Sequence, residues 1–239
     1  MRIISLAVAG LALAVGTQAH AQQAQRATIN MGNGYIGVQG GVVVPDDIHV
    51  NVSGTSGGVA VTGSGDFSFD AGGAATVFAG YHINNWLAAE GELGWVGYDY
   101  DALNGTITAG GTSSGKININ GDVTAWVGFV NAIIAPWGRD GFSPYVGGGI
   151  GFANYDNKIN TISNAAFGTL AVNSSQSTTD FAANVILGFD YPVSDAFSLG
   201  ARYRFVWINS GTTQTGGGLV GKTDDATLHV FTVNASYHF

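Results

Sequence analysis

Residues 226–239, ATLHVFTVNASYHF, decide the fold of this chain. Counting back in twos from Phe239 gives a mostly apolar set of residues, and the residues between them are largely polar. Because successive side chains of a β-strand point to opposite faces, this alternation predicts a strand with one apolar and one largely polar face. The apolar set is Phe239, Tyr237, Ala235, Val233, Phe231 and His229, and the interleaved set is His238, Ser236, Asn234, Thr232, Val230 and Leu228.

Seven further strands are predicted before this one, joined alternately by long loops and short turns. They cover residues 35–44, 74–83, 86–98, 122–135, 144–154, 180–191 and 197–208. Strands of this length suit a tilted crossing of a membrane. The pattern predicts an all-β, eight-stranded antiparallel transmembrane β-barrel with its long loops outside. Those loops, residues 45–73, 99–122, 155–180 and 209–225, hold eleven Asp but only Lys116, Lys158 and Lys222.

The first residues have the features of a secretory signal peptide. Arg2 precedes an apolar core at residues 3–15, and residues 19–21, Ala-His-Ala, form a small-residue cleavage site. We predict a signal peptide at residues 1–21, a short periplasmic segment at 22–33 and the barrel domain at 34–239. The sequence has no cysteine, so it has neither a disulfide framework nor a site for lipoprotein acylation.

Four charged residues are predicted to point into the barrel. Glu90 and Glu92 alternate with apolar residues on the third strand, and Arg202 and Arg204 do so on the seventh. Facing an arginine into lipid near the midplane would cost about 2–4 kcal/mol, so the charges must face the lumen. The third and seventh strands stand opposite each other in an eight-stranded ring, whose narrow interior is filled by side chains. The sequence therefore predicts a lumen charge cluster that plugs the barrel, with Gln39, Asn131, Asn184 and Asp190 as polar neighbours.

Glycines on the fifth strand share the inward-facing parity. Gly147, Gly149 and Gly151 are expected to leave room for bulky neighbours, and the guanidinium groups are the natural candidates. A phosphate-binding glycine loop is disfavoured, because Phe152 stands where the dinucleotide motif needs its last glycine. On the fourth strand, placing Asn131 inside also places Val127 and Phe129 inside, which leaves the orientation of that strand open.

Three stretches together resemble the OmpA-like, opacity-type family of eight-stranded outer-membrane barrels. They are WLAAEGELGW at residues 86–95, PYVGGGIG at 144–151, and ARYRF at 201–205 with the final YHF at 237–239. The resemblance spans residues 35–239. It implies an up-and-down meander in the bacterial outer membrane, with a non-enzymatic role in envelope integrity and surface interaction, as an adhesin or antigen.

The same resemblance implies partners. Tyr237 and Phe239 are expected to form the signal that the barrel-assembly machinery reads. Outer-membrane lipid and lipopolysaccharide would surround the barrel, and the outer loops would meet a host or surface ligand. A net charge of −8 argues against nucleic acid, whose phosphates need a basic surface.

The sequence also bears on two other functional classes, enzymes and channels. A lipid A-modifying enzyme is disfavoured, because Phe205 stands where the deacylase motif has its histidine and Ser210 then lacks a base in the sequence. The paired carboxylates of Glu90 and Glu92 could serve acid–base chemistry. Each, however, has an arginine at the same height along the barrel axis, so an ion pair explains its presence. The histidines lack metal-ligand spacing, so neither a metal nor a cofactor is predicted. A small-solute, porin-like channel stays open as the alternative.

Overall fold

The computed structural model describes residues 32–56, 58–109, 112–113, 115–164, 168–211, 213–216 and 219–239. They belong to one compact unit, Met31–Phe239. The predicted signal peptide and residues 22–31 lie outside the described residues, so the division of the N-terminal part stays a prediction. Within the described ranges, no helix is long and apolar enough to cross a membrane.

Eight of the thirteen strands form a closed antiparallel ring. In chain order the strands are β1 (Gly34–Pro45), β2 (Ile48–Ser56), β3 (Val59–Phe69), β4 (Gly72–His82), β5 (Leu87–Ala109), β6 (Thr112–Ser113), β7 (Ile117–Ile134), β8 (Ser143–Asn164), β9 (Gly168–Pro192), β10 (Phe197–Ile208), β11 (Thr213–Gly216), β12 (Leu219–Thr223) and β13 (Ala226–His238). The ring runs β1-β4-β5-β7-β8-β9-β10-β13 and closes when β13 pairs with β1. The predicted eight-stranded up-and-down barrel is confirmed.

The strands of the ring bury one face and expose the other. In β13 the even positions, such as Thr232 and Asn234, are buried, whereas Val233 is 70% exposed. Exposed apolar side chains outside and polar ones inside are the reverse of a water-soluble barrel, because the outer face of a membrane barrel meets lipid. Large aromatic side chains near both ends of the ring strands are exposed, and so is one in a periplasmic turn, whereas Trp207 is half-buried; the exposed ones are Trp86, Tyr191, Tyr237, Phe239, Trp95, Trp126 and Trp137.

The predicted long loops are largely strand instead. Loop 45–73 contains the β2–β3 hairpin and loop 209–225 contains the β11–β12 hairpin, while β5, β7, β8 and β9 continue beyond the ring. These parts pair in the order β11-β12-β2-β3-β5-β7-β8-β9, which we call the extracellular sheet. The alternating Val residues in HVNVS (49–53) and Ile residues in ININ (117–120) have strand periodicity, and pairing with a neighbour satisfies their backbone groups.

Candidate functional site: the barrel lumen

The four predicted charged residues meet in the centre of the ring. Arg202 binds Glu90 through two hydrogen bonds, Nη1 to Oε1 at 2.7 Å and Nη2 to Oε2 at 3.1 Å. Arg204 donates from Nη2 to Oε2 of Glu92, and Nη1 of Arg202 lies 3.8 Å from the same oxygen. All four residues are buried. The cluster joins two opposite walls of the barrel, as the matched heights of the residues in their strands predicted.

Two tyrosines complete the coordination of the first ion pair. Tyr35 donates from its hydroxyl to Oε2 of Glu90 at 3.1 Å, and Nε of Arg202 donates to the Tyr145 hydroxyl at 3.0 Å. The Arg202 guanidinium also lies over the Phe78 ring, 5.0 Å from its centre. Each side-chain nitrogen and oxygen atom of this pair thus has a hydrogen-bond partner, which is the condition under which a buried ion pair is tolerated.

The sequence did not single out these tyrosines, although their parity could have revealed them. Tyr35 lies four residues before Gln39 and therefore faces inward with it. Tyr145 shares the parity of Gly147, Gly149 and Gly151. An inward phenol beside a buried ion pair is a hydrogen-bonding group that the lumen needs.

The predicted polar neighbours form hydrogen bonds with each other or with residues of β13, and not with the four charged residues. Asn184 donates to Oδ1 of Asn131 at 3.0 Å, and Thr232 donates to Oε1 of Gln39 at 3.2 Å. Asp190 accepts a hydrogen bond of 2.8 Å from Nδ2 of Asn234. Thr232 and Asn234 come from the closing strand, so these bonds tie β13 to β1 and β9 inside the lumen.

The space beside the inward glycines of β8 is taken by β7 rather than by guanidinium groups, which corrects the expectation. A Cβ atom on Gly149 would lie 2.0 Å from Oδ1 of Asn131, and one on Gly147 would lie 2.6 Å from Cδ1 of Ile133. Gly151 makes the same kind of close approach to Phe129, at 2.8 Å. The orientation of the fourth ring strand is thereby fixed: Val127, Phe129 and Asn131 all face inward.

An apolar layer covers the charge cluster on its extracellular side. Val206 follows Arg204 by two residues on β10 and pairs with Leu228 of β13. Both are buried, and they pack in one cluster with Val43, Val96 and Val127. Ile48, Tyr98 and Tyr155 pack against this layer from the extracellular side. The lumen therefore holds a packed core above its ion pairs.

On the periplasmic side, a small cavity reaches the ion pair. It has a volume of about 50 Å³, enough for a few water molecules, and Glu90 and Arg202 are among its lining residues. At its mouth, the His82 and His238 rings stack with their centres 6.1 Å apart. Arg139, from a periplasmic turn, donates from Nη1 to the carbonyl oxygen of Gly32 at 2.9 Å.

The candidate catalytic groups, His229 and Ser210, lie near the extracellular end of the β10–β13 pair. His229 lies directly opposite Phe205 across the β10–β13 pair, so a histidine does stand close to the position that the sequence left without one. Its Nδ1 is 2.8 Å from the Tyr203 hydroxyl and its Nε2 is 3.3 Å from Asp46. Ser210 accepts a hydrogen bond from the backbone N–H of Ala226 at 3.0 Å. In the described part of the chain, no group of three or more acidic or histidine side chains could hold a metal.

The model of the family described as "Outer membrane protein beta-barrel domain" matches residues 6–239. The chain belongs to this family. It is therefore a β-barrel protein of the bacterial outer membrane. No curated protein matches it in sequence.

Several solved structures are similar to this outer-membrane barrel. Neisserial surface protein A is 15% identical, with a TM-score of 0.47, covering 86% of this chain and 97% of its own. OprG from Pseudomonas aeruginosa is 17% identical, with a TM-score of 0.47 and coverages of 88% and 98%. The outer membrane protease OmpT from Escherichia coli is 9% identical, with a TM-score of 0.48 and coverages of 87% and 97%.

Proposed function

We propose that this protein is a closed outer-membrane barrel that contributes to envelope integrity and presents its extracellular sheet for surface interaction, as an adhesin or antigen does. One observation carries the proposal: the lumen is filled at two successive heights. The buried Glu and Arg cluster spans its centre, and the apolar layer around Val206 and Leu228 lies above it. A polar solute would have to displace both.

The proposed partners follow from the two exposed surfaces. The lipid-facing side carries apolar side chains such as Val130, which is 69% exposed, and suits outer-membrane lipid and lipopolysaccharide. The extracellular sheet is the part of the chain that a host or surface ligand would meet. The barrel-assembly machinery is the proposed partner during biogenesis, through the closing strand with Tyr237 and Phe239.

A small-solute channel is the alternative, and the periplasmic cavity favours it. That cavity already brings Glu90 and Arg202 to the inner end of the lumen. Conduction would then require the ion pairs and the apolar layer to rearrange, with the cluster acting as a filter.

An enzymatic role is disfavoured by the contacts of the candidate groups. Both nitrogens of His229 are engaged, by Tyr203 and Asp46, and the Ser210 oxygen accepts a backbone hydrogen bond. Ser210 therefore lacks an evident base, which both lipid A deacylation and nucleophilic catalysis in general require. A non-enzymatic barrel is accordingly part of the proposal.

Planar-bilayer conductance of the refolded protein tests the proposal. We expect the wild type to be silent and the Arg202→Ala, Arg204→Ala double variant to leak, because removing both guanidinium groups empties the central layer. A Leu199→Ala variant, altered on the lipid-facing side of the same strand, serves as the control and stays silent. Reproducible channels in the wild type would replace the plugged barrel with the small-solute channel.

A further inference from the structure

The outer face of the extracellular sheet carries a regular array of polar side chains. Four strands, β12, β2, β3 and β5, lie side by side, and their registers place seven polar residues and one valine opposite one another in two rows. Neighbouring strands are about 4.8 Å apart and alternate residues about 6.8 Å apart along a strand, so the array is a rectangular grid. This outer grid consists of Lys222, Asn51, Ser64 and Thr106 in one row and Val220, Ser53, Thr62 and Thr108 in the next.

The outer grid faces away from the inside of the sheet. The opposite face of these strands carries a row of apolar residues. In this row Ile48 of β2, Phe67 of β3 and Leu103 of β5 are aligned, and each is an odd number of positions from the grid residues of its strand. The Phe67 ring contacts the Tyr100 ring, with 6.0 Å between centres, and Ile48 packs on the apolar layer of the lumen. The polar face is therefore the one that continues the lipid-exposed surface of the ring above the membrane.

A shallow cleft lies over this face. It has a volume of about 750 Å³ and is lined by the residues of the outer grid. That volume is within the range of about 300–1,000 Å³ that small-ligand sites occupy. Asn51, Ser53, Thr62, Ser64 and Thr106 are all exposed, so their hydroxyl and amide groups are accessible to a ligand.

The charged groups present in the grid indicate which class of ligand it can bind. The grid contains no carboxylate, and Lys222 is its one cation. On the membrane side, the next row pairs His49 with Asp66 at 2.7 Å, and this hydrogen bond raises the pKa of His49. Sulfated or phosphorylated polymers need several cations in a row, and apolar ligands need apolar walls. A neutral, hydroxyl-rich ligand matches the side chains that are present.

We propose that the outer grid binds the neutral sugar chain of the lipopolysaccharide molecules that surround the barrel. The argument rests on position and on chemistry. The grid stands above the lipid-facing surface of the ring, at the side where the saccharide layer of the outer leaflet lies. A sugar chain lying across the strands offers hydroxyl groups to successive Ser, Thr and Asn side chains, each able to donate and accept. The inference is independent of whether the lumen conducts.

The test compares three probes on the refolded full-length protein by titration calorimetry. The probes are a dephosphorylated polysaccharide released by mild acid from a lipopolysaccharide with an uncharged repeating unit, maltohexaose, and a heparin-derived oligosaccharide. The variant carries Thr62→Val, Thr106→Val and Thr108→Val, which removes three hydroxyl groups with little change of shape or strand propensity. The control carries Ser175→Val, Ser177→Val and Thr178→Val on the exposed outer part of β9.

We expect the wild type and the control to bind the released polysaccharide, with affinity insensitive to salt. The grid variant should bind it at least about tenfold more weakly, because three hydrogen bonds are lost. A second variant, Asn51→Ala with Ser64→Ala, should show the same loss and guards against misfolding of the first. Unchanged affinity in both variants would overturn the proposal. Equal binding of maltohexaose, or binding of the heparin fragment alone, would overturn the assignment to lipopolysaccharide sugar.

Discussion

Individual residues of the lumen depend on one another through charge. Glu90 accepts hydrogen bonds from two groups of Arg202 and from Tyr35, whereas Glu92 accepts one from Arg204. Within the described residues, Oε1 of Glu92 and Nε of Arg204 have no hydrogen-bond partner in the protein. The Glu90–Arg202 pair is therefore the better satisfied of the two, and its loss should matter more.

Replacing Arg202 with alanine should destabilise the barrel by about 3–5 kcal/mol, because it leaves the Glu90 carboxylate buried without its cation. The Glu90→Ala, Arg202→Ala double variant should lose less than the sum of the single losses, since no charge remains unpaired. Urea unfolding in detergent micelles, followed by tryptophan fluorescence, measures both. Strictly additive losses would mean that the two side chains do not interact.

The residue-level prediction from the sequence succeeded where a single parity argument sufficed. Placing charges inward on two strands required only their alternation with apolar residues, and the ring geometry then set Glu90 and Glu92 opposite Arg202 and Arg204. It failed for the inward glycines, because their neighbours depend on the register between β7 and β8. Register is the alignment of two strands with each other. The sequence pattern of β8 alone therefore does not predict which residues of β7 lie beside its glycines.

At the scale of the strand, glycine and tyrosine pack as complementary pairs across neighbours. A Cβ atom on Gly80 would lie 2.2 Å from Cζ of Tyr35. Gly80→Ala should displace the Tyr35 ring, weaken its bond to Glu90 and lower the stability by about 1–3 kcal/mol, as overpacking does. The shift of the urea midpoint reports the loss.

Gly91 on the neighbouring strand provides the control for this prediction. A Cβ atom there meets nothing within 4 Å. Gly91→Ala should therefore leave the urea midpoint at or above that of the wild type, because alanine costs less conformational entropy than glycine in a strand. Equal destabilisation by the two variants would show that backbone effects, and not the Tyr35 contact, determine the result.

The closing strand supplies the second prediction at this scale. Phe239 exchanges two backbone hydrogen bonds with Gly34, of 2.8 and 3.0 Å, at the seam where the ring closes. Its ring stacks on Tyr237 at 6.2 Å. Deleting Phe239 should deplete the heat-modifiable form in the outer membrane several-fold, and Tyr237→Ala should do so more weakly. Phe231→Ala removes a lipid-facing aromatic from the middle of the same strand and should assemble normally; a comparable defect there would contradict a role specific to the strand's end.

Strand prediction from the sequence was accurate inside the membrane and incomplete outside it. Residues 197–208 coincide with β10, whereas β9 begins at Gly168 and not at residue 180. Lipid enforces an apolar face on every membrane strand, so the alternation there is strong. The outer part of β9 carries polar residues on both faces, and its strand character comes from pairing with β8.

For the whole molecule, the ring and the extracellular sheet share the four strands β5, β7, β8 and β9. The ring is closed, whereas the extracellular sheet is open. Each strand of the ring has a neighbour on both sides, and the extracellular sheet ends at β11 and at β9. Among the described residues, the β2–β3 hairpin pairs with β12 and with the part of β5 beyond the ring, so its pairing lies outside the ring. The ring should therefore fold without the hairpin.

Replacing residues 46–69 with an Asn-Gly turn tests this division. Val43 pairs with Gly72, so residues 45 and 70 are close enough for a two-residue hairpin loop. We expect the shortened protein to keep heat modifiability and a urea midpoint lowered only by the loss of the Ile48 contact, because every paired residue of the ring strands remains. Val77→Pro is the contrast: it removes a ladder hydrogen bond from β4, which is paired on both sides, and should abolish folding. If the shortened barrel failed to fold while its β4 pairing was intact, the extracellular sheet would have to be part of the folding unit, and the lumen core that Ile48 covers would be the contact that links them.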